Sequence, residues 1–294
     1  MTKRAFTIIT EVTSDLPVSY FKKHDVLPVE MIYTLDQTEY DGTFENSLSP
    51  REFYDALRNN QMAKTVAVPP DKMAGIFEEE MKQGNDVLHL AFSSGLSSTY
   101  QACTMAREEV LEKYPEGKIY VVDTLCASLG QGLLVDYAVR QRDAGKSIEE
   151  TVQAVEEIKH SVCHLFTVSD LHFLHRGGRV SKTVAVVGTV LGIKPVMYVD
   201  DEGHLIPYGK IRGRKQSLDE LVAHMGKKLG DYENPYVFIS HGDCYDEARY
   251  VSDQVRLKYG IPTEIINFIG PVIGSHSGPG TVALFFIGRD RKEG

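Results

Sequence analysis

The chain has 294 residues, 42% of them hydrophobic, which is enough for one large or two ordinary globular domains with a sizeable core. Its net charge is −9, with acidic and basic residues interspersed, and this argues against a nucleic-acid-binding protein, which needs a basic face. It contains no signal-peptide core and no apolar run of the ~18 residues that a membrane span needs, so we expect a cytoplasmic protein without stable membrane insertion.

Strands alternate with helices along the whole chain, which predicts an α/β protein with mostly parallel sheets. We place a domain boundary near residue 164, giving domains of residues 1–164 and 165–294. The predicted strands are residues 5–10, 26–33, 86–92, 118–123, 165–168, 196–199, 205–211, 236–240, 264–268 and 282–287. The first predicted helix is capped by residues 13–17 and carries Tyr20 and Phe21. A second comprises residues 49–60, and a third begins near residue 71. The remaining predicted helices are residues 100–114, 128–144, 148–160, 171–175, 217–229 and 245–259.

Cap and turn signals support several of these elements. Ser49 with Glu52 three residues later is the pattern of a capping box, and Ser147 is placed to cap the helix that follows it. Residues 36–45 are polar and hairpin-like, and residues 200–203 are predicted to form the turn of a hairpin between the strands that flank them.

Residues 93–100 follow a predicted buried strand and lead into a helix. In an open α/β sheet, ligands bind beyond the carboxyl ends of the strands, and a helix N-terminus there offers unpaired N–H groups to an anion. The stretch adds several hydroxyl groups, among them Ser94 and Ser97. It therefore suits a carboxylate or phosphate; ordinary N-capping by one serine is the alternative.

Residues 269–280 contain four glycines, two prolines and a single titratable group, His276. We predict an irregular loop between two strands, because the glycines allow positive φ and close approach of the backbone to a ligand. Such a loop could hold the imidazole against a small group. The alternative is a tight crossover in which His276 is an ordinary satisfied polar residue.

Three further positions could face the same crevice. Thr65 lies in a predicted extended loop, residues 64–70, although a lone threonine there is usually a turn residue. Arg179 and Arg212 belong to two basic runs that are interrupted by glycine and precede predicted helices. Arginine could position anionic oxygens there; a solvated charge run is the alternative.

Several common signatures are absent from the sequence. It has no phosphate-binding P-loop, dinucleotide fingerprint, serine nucleophile elbow or His-Glu-x-x-His motif, so we expect no cofactor and no metal. The histidines at 160, 164, 172 and 175 are predicted to be surface or packing residues. The four cysteines form no Cys-x-x-Cys pair and are predicted to be free thiols in a reducing compartment: Cys103, Cys126, Cys163 and Cys244.

Taken together, these stretches resemble the DegV family of bacterial fatty-acid-binding proteins, and the resemblance spans the whole chain. The similarity rests on several motifs that occur in the family's order. They are Thr10-Glu-Val-Thr-Ser-Asp-Leu-Pro17, Thr65-Val-Ala-Val68, Ser93-Ser-Gly-Leu-Ser-Ser-Thr-Tyr100, Gly177-Gly-Arg-Val-Ser181, Ile193-Lys-Pro195, Ile211-Arg-Gly-Arg-Lys215 and His276-Ser-Gly-Pro-Gly280.

The resemblance implies two α/β domains with a long-chain fatty acid in a tunnel between them. It implies that the hydroxyls of Thr65 and Ser97 bind the carboxylate, with Ser94 nearby, and that His276 contacts the same group. It also implies that Arg179 and Arg212 position anionic oxygens or engage a partner. Family members act as the acyl-binding subunit of a fatty acid kinase, whose separate ATP-binding subunit makes acyl phosphate for phospholipid synthesis.

Three functions are compatible with these expectations. The first is a fatty acid carrier, in which residues 184–191 and the helix after Ser97 line the space for the acyl tail. The second is a stand-alone acyl ester hydrolase using a dyad of Ser97 and His276, for which the sequence offers no orienting acid. The third is a regulatory or structural module without a lipid.

Overall fold

The structure is a computed structural model that describes residues 6–43, 47–187, 192–230, 232–289 and 291, apart from the side chains of residues 185–187. The α/β class is confirmed. The strands are β1 Thr7–Glu11, β2 Val26–Val29, β3 Ile32–Leu35, β4 Thr38–Asp41, β5 Ala63–Val66, β6 Val87–Ala91, β7 Ile119–Asp123, β8 Val162–Thr167, β9 Ile193–Val199, β10 Leu205–Arg212, β11 Val237–His241, β12 Thr263–Phe268 and β13 Val282–Ile287. The helices are α1 Val18–His24, α2 Pro50–Arg58, α3 Pro70–Lys82, α4 Thr99–Lys113, α5 Leu129–Asp143, α6 Ile148–Ile158, α7 His172–Arg176, α8 Lys182–Val187, α9 Arg214–Lys228, α10 Tyr245–Tyr259 and α11 Pro271–Ser277.

Two larger sheets and one small sheet organise the chain. The four-stranded sheet, in the order β2-β1-β6-β7, is parallel throughout, as predicted. The six-stranded sheet, in the order β10-β9-β8-β13-β11-β12, is not: only β11 and β12 pair in parallel. One reason is the β9–β10 hairpin, which was predicted at residues 200–203 and can join only antiparallel neighbours.

The third sheet corrects two predictions about extended segments. The predicted strand of residues 26–33 is two strands, of which β2 joins the four-stranded sheet and β3 joins a three-stranded sheet in the order β4-β3-β5. The predicted loop of residues 64–70 begins as β5, in which Thr65 pairs with Tyr33. Thr65 is therefore held by strand pairing.

Residues 269–280 were also wrongly predicted to be irregular. They form α11, which begins after Gly270 with Pro271 in its first turn and ends before Gly278, where φ is +76°. Proline at the first helical position and glycine just past the last one are the ordinary boundaries of a helix. The density of glycines concealed this pattern in the sequence.

The predicted caps have mixed outcomes. Ser49 and Ser147 both form the capping boxes that the sequence indicates. Pro17, the last of residues 13–17, is the N-cap of α1, but none of the predicted side-chain capping bonds is formed. Asp15 is instead buried, with a left-handed backbone at φ +51°.

Helix α5 lies between the two larger sheets, and most of its residues are buried. It belongs to a core cluster that combines Leu88 and Leu90 of the four-stranded sheet with Phe166 and Phe285 of the six-stranded sheet. The division at residue 164 stays a prediction; that residue lies within β8. The four cysteines are free thiols, as predicted.

Candidate functional site

A cavity of about 310 Å³ lies where the loops after β1 and β6 meet α11 and the strands β8, β9, β10 and β13. Its volume is in the range of small-molecule sites, roughly 300–1,000 Å³. Apolar side chains form most of its wall. They are Met31, Ala67, Phe92, Leu96, Ala127, Phe166, Leu174, Val199, Leu205, Ile269, Val272, Ile273, Ala283 and Phe285.

Four of the predicted site residues line this cavity together: Thr65, Ser97, Arg179 and His276. The Oγ1 atom of Thr65 lies 2.8 Å from Nε2 of His276, although 211 positions separate them in the sequence. The Oγ atom of Ser97 lies 2.9 Å from Oγ1 of Thr99 and accepts a hydrogen bond from the Thr99 N–H, at the start of α4. The structure thus gathers hydroxyls, an imidazole and a guanidinium on one side of an apolar cavity.

Two buried side chains fix the beginning of α11 and so position His276 at its other end. Asp15 Oδ1 accepts a hydrogen bond of 2.9 Å from the Gly270 N–H. The Tyr54 hydroxyl donates a bond of 2.7 Å to the carbonyl of Ile269. Because both anchors precede the first turn, the helix is held where the imidazole reaches β5.

Gly177 forms the surface against which the His276 ring packs. A Cβ atom at position 177 would lie only 2.1 Å from Nδ1 of His276. We expect Gly177→Ala to displace the ring, break its bond with Thr65 and weaken ligand binding by about 1–2 kcal/mol. Titration of the variant and the wild type with a ligand measures the difference in affinity. Gly75→Ala in α3 is the matched control, since nothing lies within 4 Å of the added Cβ; equal affinities for both variants would contradict the role of Gly177.

Burial changes the pKa values of the imidazole and the guanidinium at the site. Burial, reinforced by the Arg179 charge, lowers the pKa of His276 to about 4, so the imidazole is neutral at pH 7. Its Nδ1 atom is buried and has no hydrogen-bond partner among the described residues. Desolvation also lowers the pKa of Arg179.

Arg179 makes its contacts with backbone carbonyls. Its Nε donates a bond of 3.1 Å to the carbonyl of Leu96, and Nη1 donates to the carbonyl of Gly177. Within the described part of the chain, no carboxylate forms an ion pair with it. A half-buried cation beside an apolar cavity therefore lacks a neutralising charge, which a ligand carboxylate would supply.

Ser94 and Arg212 are not brought to the cavity. Ser94 is half-buried, and its N–H donates to Oδ1 of Asp123 at 3.2 Å. Arg212 is exposed on β10. Arg214 instead contacts the chain just after α11. It pairs with Glu247 and donates a hydrogen bond of 2.6 Å to the carbonyl of Gly280.

The residues that line the cavity also differ from those that were expected to line the acyl tail. Val184 is not among the residues that line the cavity, and the side chains of residues 185–191 lie outside the described part. Ser97 and Ser98, which directly precede α4, line the cavity. The wall is built instead from loops that follow strands of the four-stranded sheet, from strands of the other two sheets and from α11, because those elements meet there.

Sequence reasoning missed the polar residues deeper in the cavity. Ser128 lines it with a strained backbone, φ +54°, and its Oγ lies 2.5 Å from Asp15 and 2.9 Å from Ser240. Ser277 also lines it, and its buried Oγ has no partner among the described residues. Ser277 directly follows His276, so only its position in the sequence could have drawn attention to it.

A second pocket, of about 300 Å³, lies on the outer side of the same polar residues. Thr65, Arg179 and His276 line both spaces. The outer pocket adds Lys64 and Arg176, and none of the described residues that line it is acidic. The three shared residues therefore separate an apolar interior cavity from a basic outer pocket.

Comparison with known families decides what kind of protein has this arrangement. The family model described as "Uncharacterised protein, DegV family" matches residues 5–289. The chain belongs to the DegV family. A DegV domain-containing protein of Clostridium perfringens, CPE0026, is 45% identical over 99% of each chain, and the protein YteA of Lactococcus lactis is 36% identical over 98% of this chain and 99% of its own.

Solved structures with the same fold are described as fatty-acid-binding proteins. A Thermus thermophilus member described as fatty-acid-binding is 30% identical, with a TM-score of 0.85 over 96% of this chain and 99% of that one. A Eubacterium ventriosum protein described as binding stearic acid is 25% identical, with a TM-score of 0.87 over 97% and 98% of the two chains. In the part of the DegV chain that the structure describes, no helix has both the length and the apolar character to cross a bilayer.

Proposed function

We propose that this DegV protein binds a long-chain fatty acid, with the carboxylate at Thr65, Ser97, Arg179 and His276 and the tail in the apolar cavity. The observation that carries the proposal is Arg179, a half-buried cation without a carboxylate partner among the described residues. It lines the same cavity as a neutral imidazole and the hydroxyls of Thr65 and Ser97. The fatty acids named in solved relatives point to the same ligand class.

The tail supplies most of the binding free energy in this proposal. Each methylene removed from water contributes about 0.8 kcal/mol, so a chain of ~14 methylenes contributes roughly 11 kcal/mol before entropic costs. The polar groups then set the orientation of the acid rather than its affinity alone. A cavity with a mostly apolar wall suits such a ligand because its tail is insoluble in water.

We infer further that the protein presents the carboxylate to a separate ATP-binding kinase subunit, which phosphorylates it to an acyl phosphate for phospholipid synthesis. The basic outer pocket supports this role, because Lys64 and Arg176 would face phosphate oxygens that approach the carboxylate from outside. The protein then acts as the substrate-carrying subunit rather than as the catalyst. The proposal implies a cytoplasmic protein, because the kinase needs ATP.

The ester hydrolase has less support. The Ser97 hydroxyl is hydrogen-bonded to the hydroxyl of Thr99, whereas Nε2 of His276 is paired with Thr65. A serine nucleophile needs a base that is itself oriented by a third group, and Nδ1 of His276 has no partner among the described residues. Turnover of a chromogenic acyl ester that disappears in both Ser97→Ala and His276→Ala would restore the hydrolase.

The direct test of the carrier is the ligand itself. Protein purified from a lipid-replete host is denatured, extracted and analysed by mass spectrometry, and we expect a long-chain fatty acid in a stoichiometric amount. Protein that yields no acyl chain, and that also fails to take up added fatty acid, would contradict the proposal.

The position of the tail gives a separate prediction. Ala283 is buried on β13, opposite Phe166 of β8, and lines the cavity together with Phe166 and Phe285. We expect Ala283→Phe to occupy tail space and weaken binding of a long-chain acid about 10-fold or more, since the new ring and the acyl chain compete for one volume. Binding of a short-chain acid to the same variant is the internal control. An equal loss for both acids would mean that the tail does not lie along β13.

The role of the outer pocket is tested by Arg176→Met. Arg176 lines the outer pocket but not the interior cavity. We expect the variant to bind fatty acid normally and to support slower acyl-phosphate formation when the kinase subunit and ATP are supplied. Unchanged acyl-phosphate formation would remove the outer pocket from the proposal while leaving fatty acid binding intact.

A further inference from the structure

Behind the wall of the cavity lies a cluster of three side chains that the proposed function does not use. Glu11 ends β1, His89 lies on β6 and Cys103 lies on α4, and all three are completely buried. Nε2 of His89 is 2.9 Å from Oε1 of Glu11, and Sγ of Cys103 is 4.0 Å from the same oxygen. One nitrogen, one sulfur and one oxygen thus all lie within 4.8 Å of one another.

The imidazole of this cluster lacks suitable hydrogen bonds. Nε2 of His89 lies 2.9 Å from Glu11 and the ring also interacts with Cys103, but neither ring nitrogen makes a well-aligned hydrogen bond among the described residues. The N–H direction and the carboxylate oxygen are therefore not aligned. Leaving a buried donor or acceptor unsatisfied costs about 1–3 kcal/mol, so the arrangement calls for something further between these atoms.

We propose that Glu11, His89 and Cys103 bind a Zn²⁺ ion. Thiolate, imidazole and carboxylate are its usual protein ligands, at about 2.3, 2.0 and 2.1 Å, which places tetrahedral ligand atoms roughly 3.3–3.6 Å apart. The observed separations of 2.9 and 4.0 Å bracket these values. Three protein ligands leave the fourth position for a water molecule enclosed on folding.

The charges of the proposed site balance. Zn²⁺ with one carboxylate, one thiolate and one neutral imidazole has no net charge, which suits a completely buried site. Binding releases the thiol proton of Cys103 and any second proton that His89 carries in the metal-free pair. In this metal-free pair, burial opposes the charged form of His89, but attraction by Cys103 and Glu11 outweighs it and raises the pKa to about 10.

A second layer of contacts already holds the carboxylate. The other oxygen of Glu11, Oε2, accepts bonds of 2.9 Å from the Phe92 N–H and from Nε2 of Gln131. Gln131 in turn accepts a bond from Thr13. Such outer contacts orient the ligands of metal sites. Since Phe92 and Thr13 line the acyl cavity, the ion would brace β1, β6 and α4 directly behind it.

The test is metal content and cobalt spectroscopy on the full chain. Because the site is buried, the metal must enter as the protein folds, so the protein is expressed in zinc-supplemented medium or refolded with Co²⁺. We expect about one zinc per chain and, with cobalt, a near-ultraviolet thiolate-to-cobalt charge-transfer band. Cys103→Ala should lose both, whereas Cys244→Ala, which removes the partly exposed thiol outside the cluster, should keep both.

Each other outcome overturns the proposal. Zinc retained equally by the two cysteine variants would place the ion on surface groups. Wild-type protein without zinc and without the charge-transfer band would show that the cluster is a metal-free ion pair. If Cys103→Ala does not fold, the wild-type cobalt spectrum compared with that of Cys244→Ala still decides between these results.

Discussion

Arg179→Met is expected to weaken fatty acid binding by about 3 kcal/mol, or roughly 150-fold in Kd, while the fold is retained. The guanidinium lies beside the cavity and has no carboxylate partner among the described residues, so its removal leaves the ligand's charge half-buried and uncompensated. The methionine keeps the length of the side chain and its apolar packing. Isothermal titration of delipidated protein with a long-chain acid measures the change.

Arg212→Met is the matched control for this experiment. Arg212 is an exposed arginine on β10 that does not line the cavity, and the same substitution there should leave the affinity unchanged. Equal losses at positions 179 and 212 would mean that general electrostatic attraction, rather than a contact inside the cavity, holds the acid. A fatty alcohol should bind wild type and Arg179→Met equally, because it carries no charge.

Asp15→Asn is expected to remove one contribution to the pH dependence of stability. Burial raises the pKa of Asp15 to about 7, in spite of hydrogen bonds from Ser128 and the Gly270 N–H that lower it. Between pH 4 and pH 7 the folded protein therefore keeps a proton that the unfolded chain has lost. The free energy of unfolding should fall as pH rises through this window, by up to about 4 kcal/mol from this group. The amide cannot ionise, so the variant should lose this dependence.

The quantity to measure is the difference between variant and wild type. Histidines with depressed pKa values, such as His276, act in the opposite direction over part of the same range. Urea unfolding at pH 5 and pH 8 should show that Asp15→Asn gains stability relative to wild type at the higher pH. Asp25→Asn is the control, because Asp25 has the same left-handed backbone but is exposed. A relative stability that does not change with pH would contradict the assigned pKa.

Much of the fold could be predicted from the sequence because local signals and the fold agree. The capping boxes at Ser49 and Ser147, the hairpin at residues 200–203 and helix α10 all follow from patterns within a few residues. Sheet direction could not be predicted in the same way. Strand β13 returns between β8 and β11, which lie far from it in the sequence, and no local pattern specifies that pairing.

The candidate site was predictable where each residue's segment carried its own signal. Ser97, Arg179 and His276 stand next to glycine or serine, Thr65 comes shortly before a pair of prolines, and the structure brings all four to one cavity. Arg212 carried the same kind of signal, yet β10 leaves it exposed, because the alternation of a strand decides which side chains face inward. Asp15 and Ser128 were missed since their contact joins residues 113 positions apart.

The cluster of Glu11, His89 and Cys103 marks a different limit. Metal motifs are recognised by spacing on one element, whereas these ligands come from two strands and a helix. Their alignment depends on the register of β1 against β6, in which Ile9 lies opposite His89. Only the folded chain shows that relation.

The central position of β13 has a consequence for synthesis of the protein. Strands β8 and β11 have no shared neighbour until residues 282–287 leave the ribosome and insert between them. Before that moment, the growing chain exposes unpaired strand edges and the apolar side chains that β13 will cover. We therefore expect the nascent protein to depend on chaperones until this late insertion, and stalling upstream of residue 282 to yield aggregation-prone intermediates.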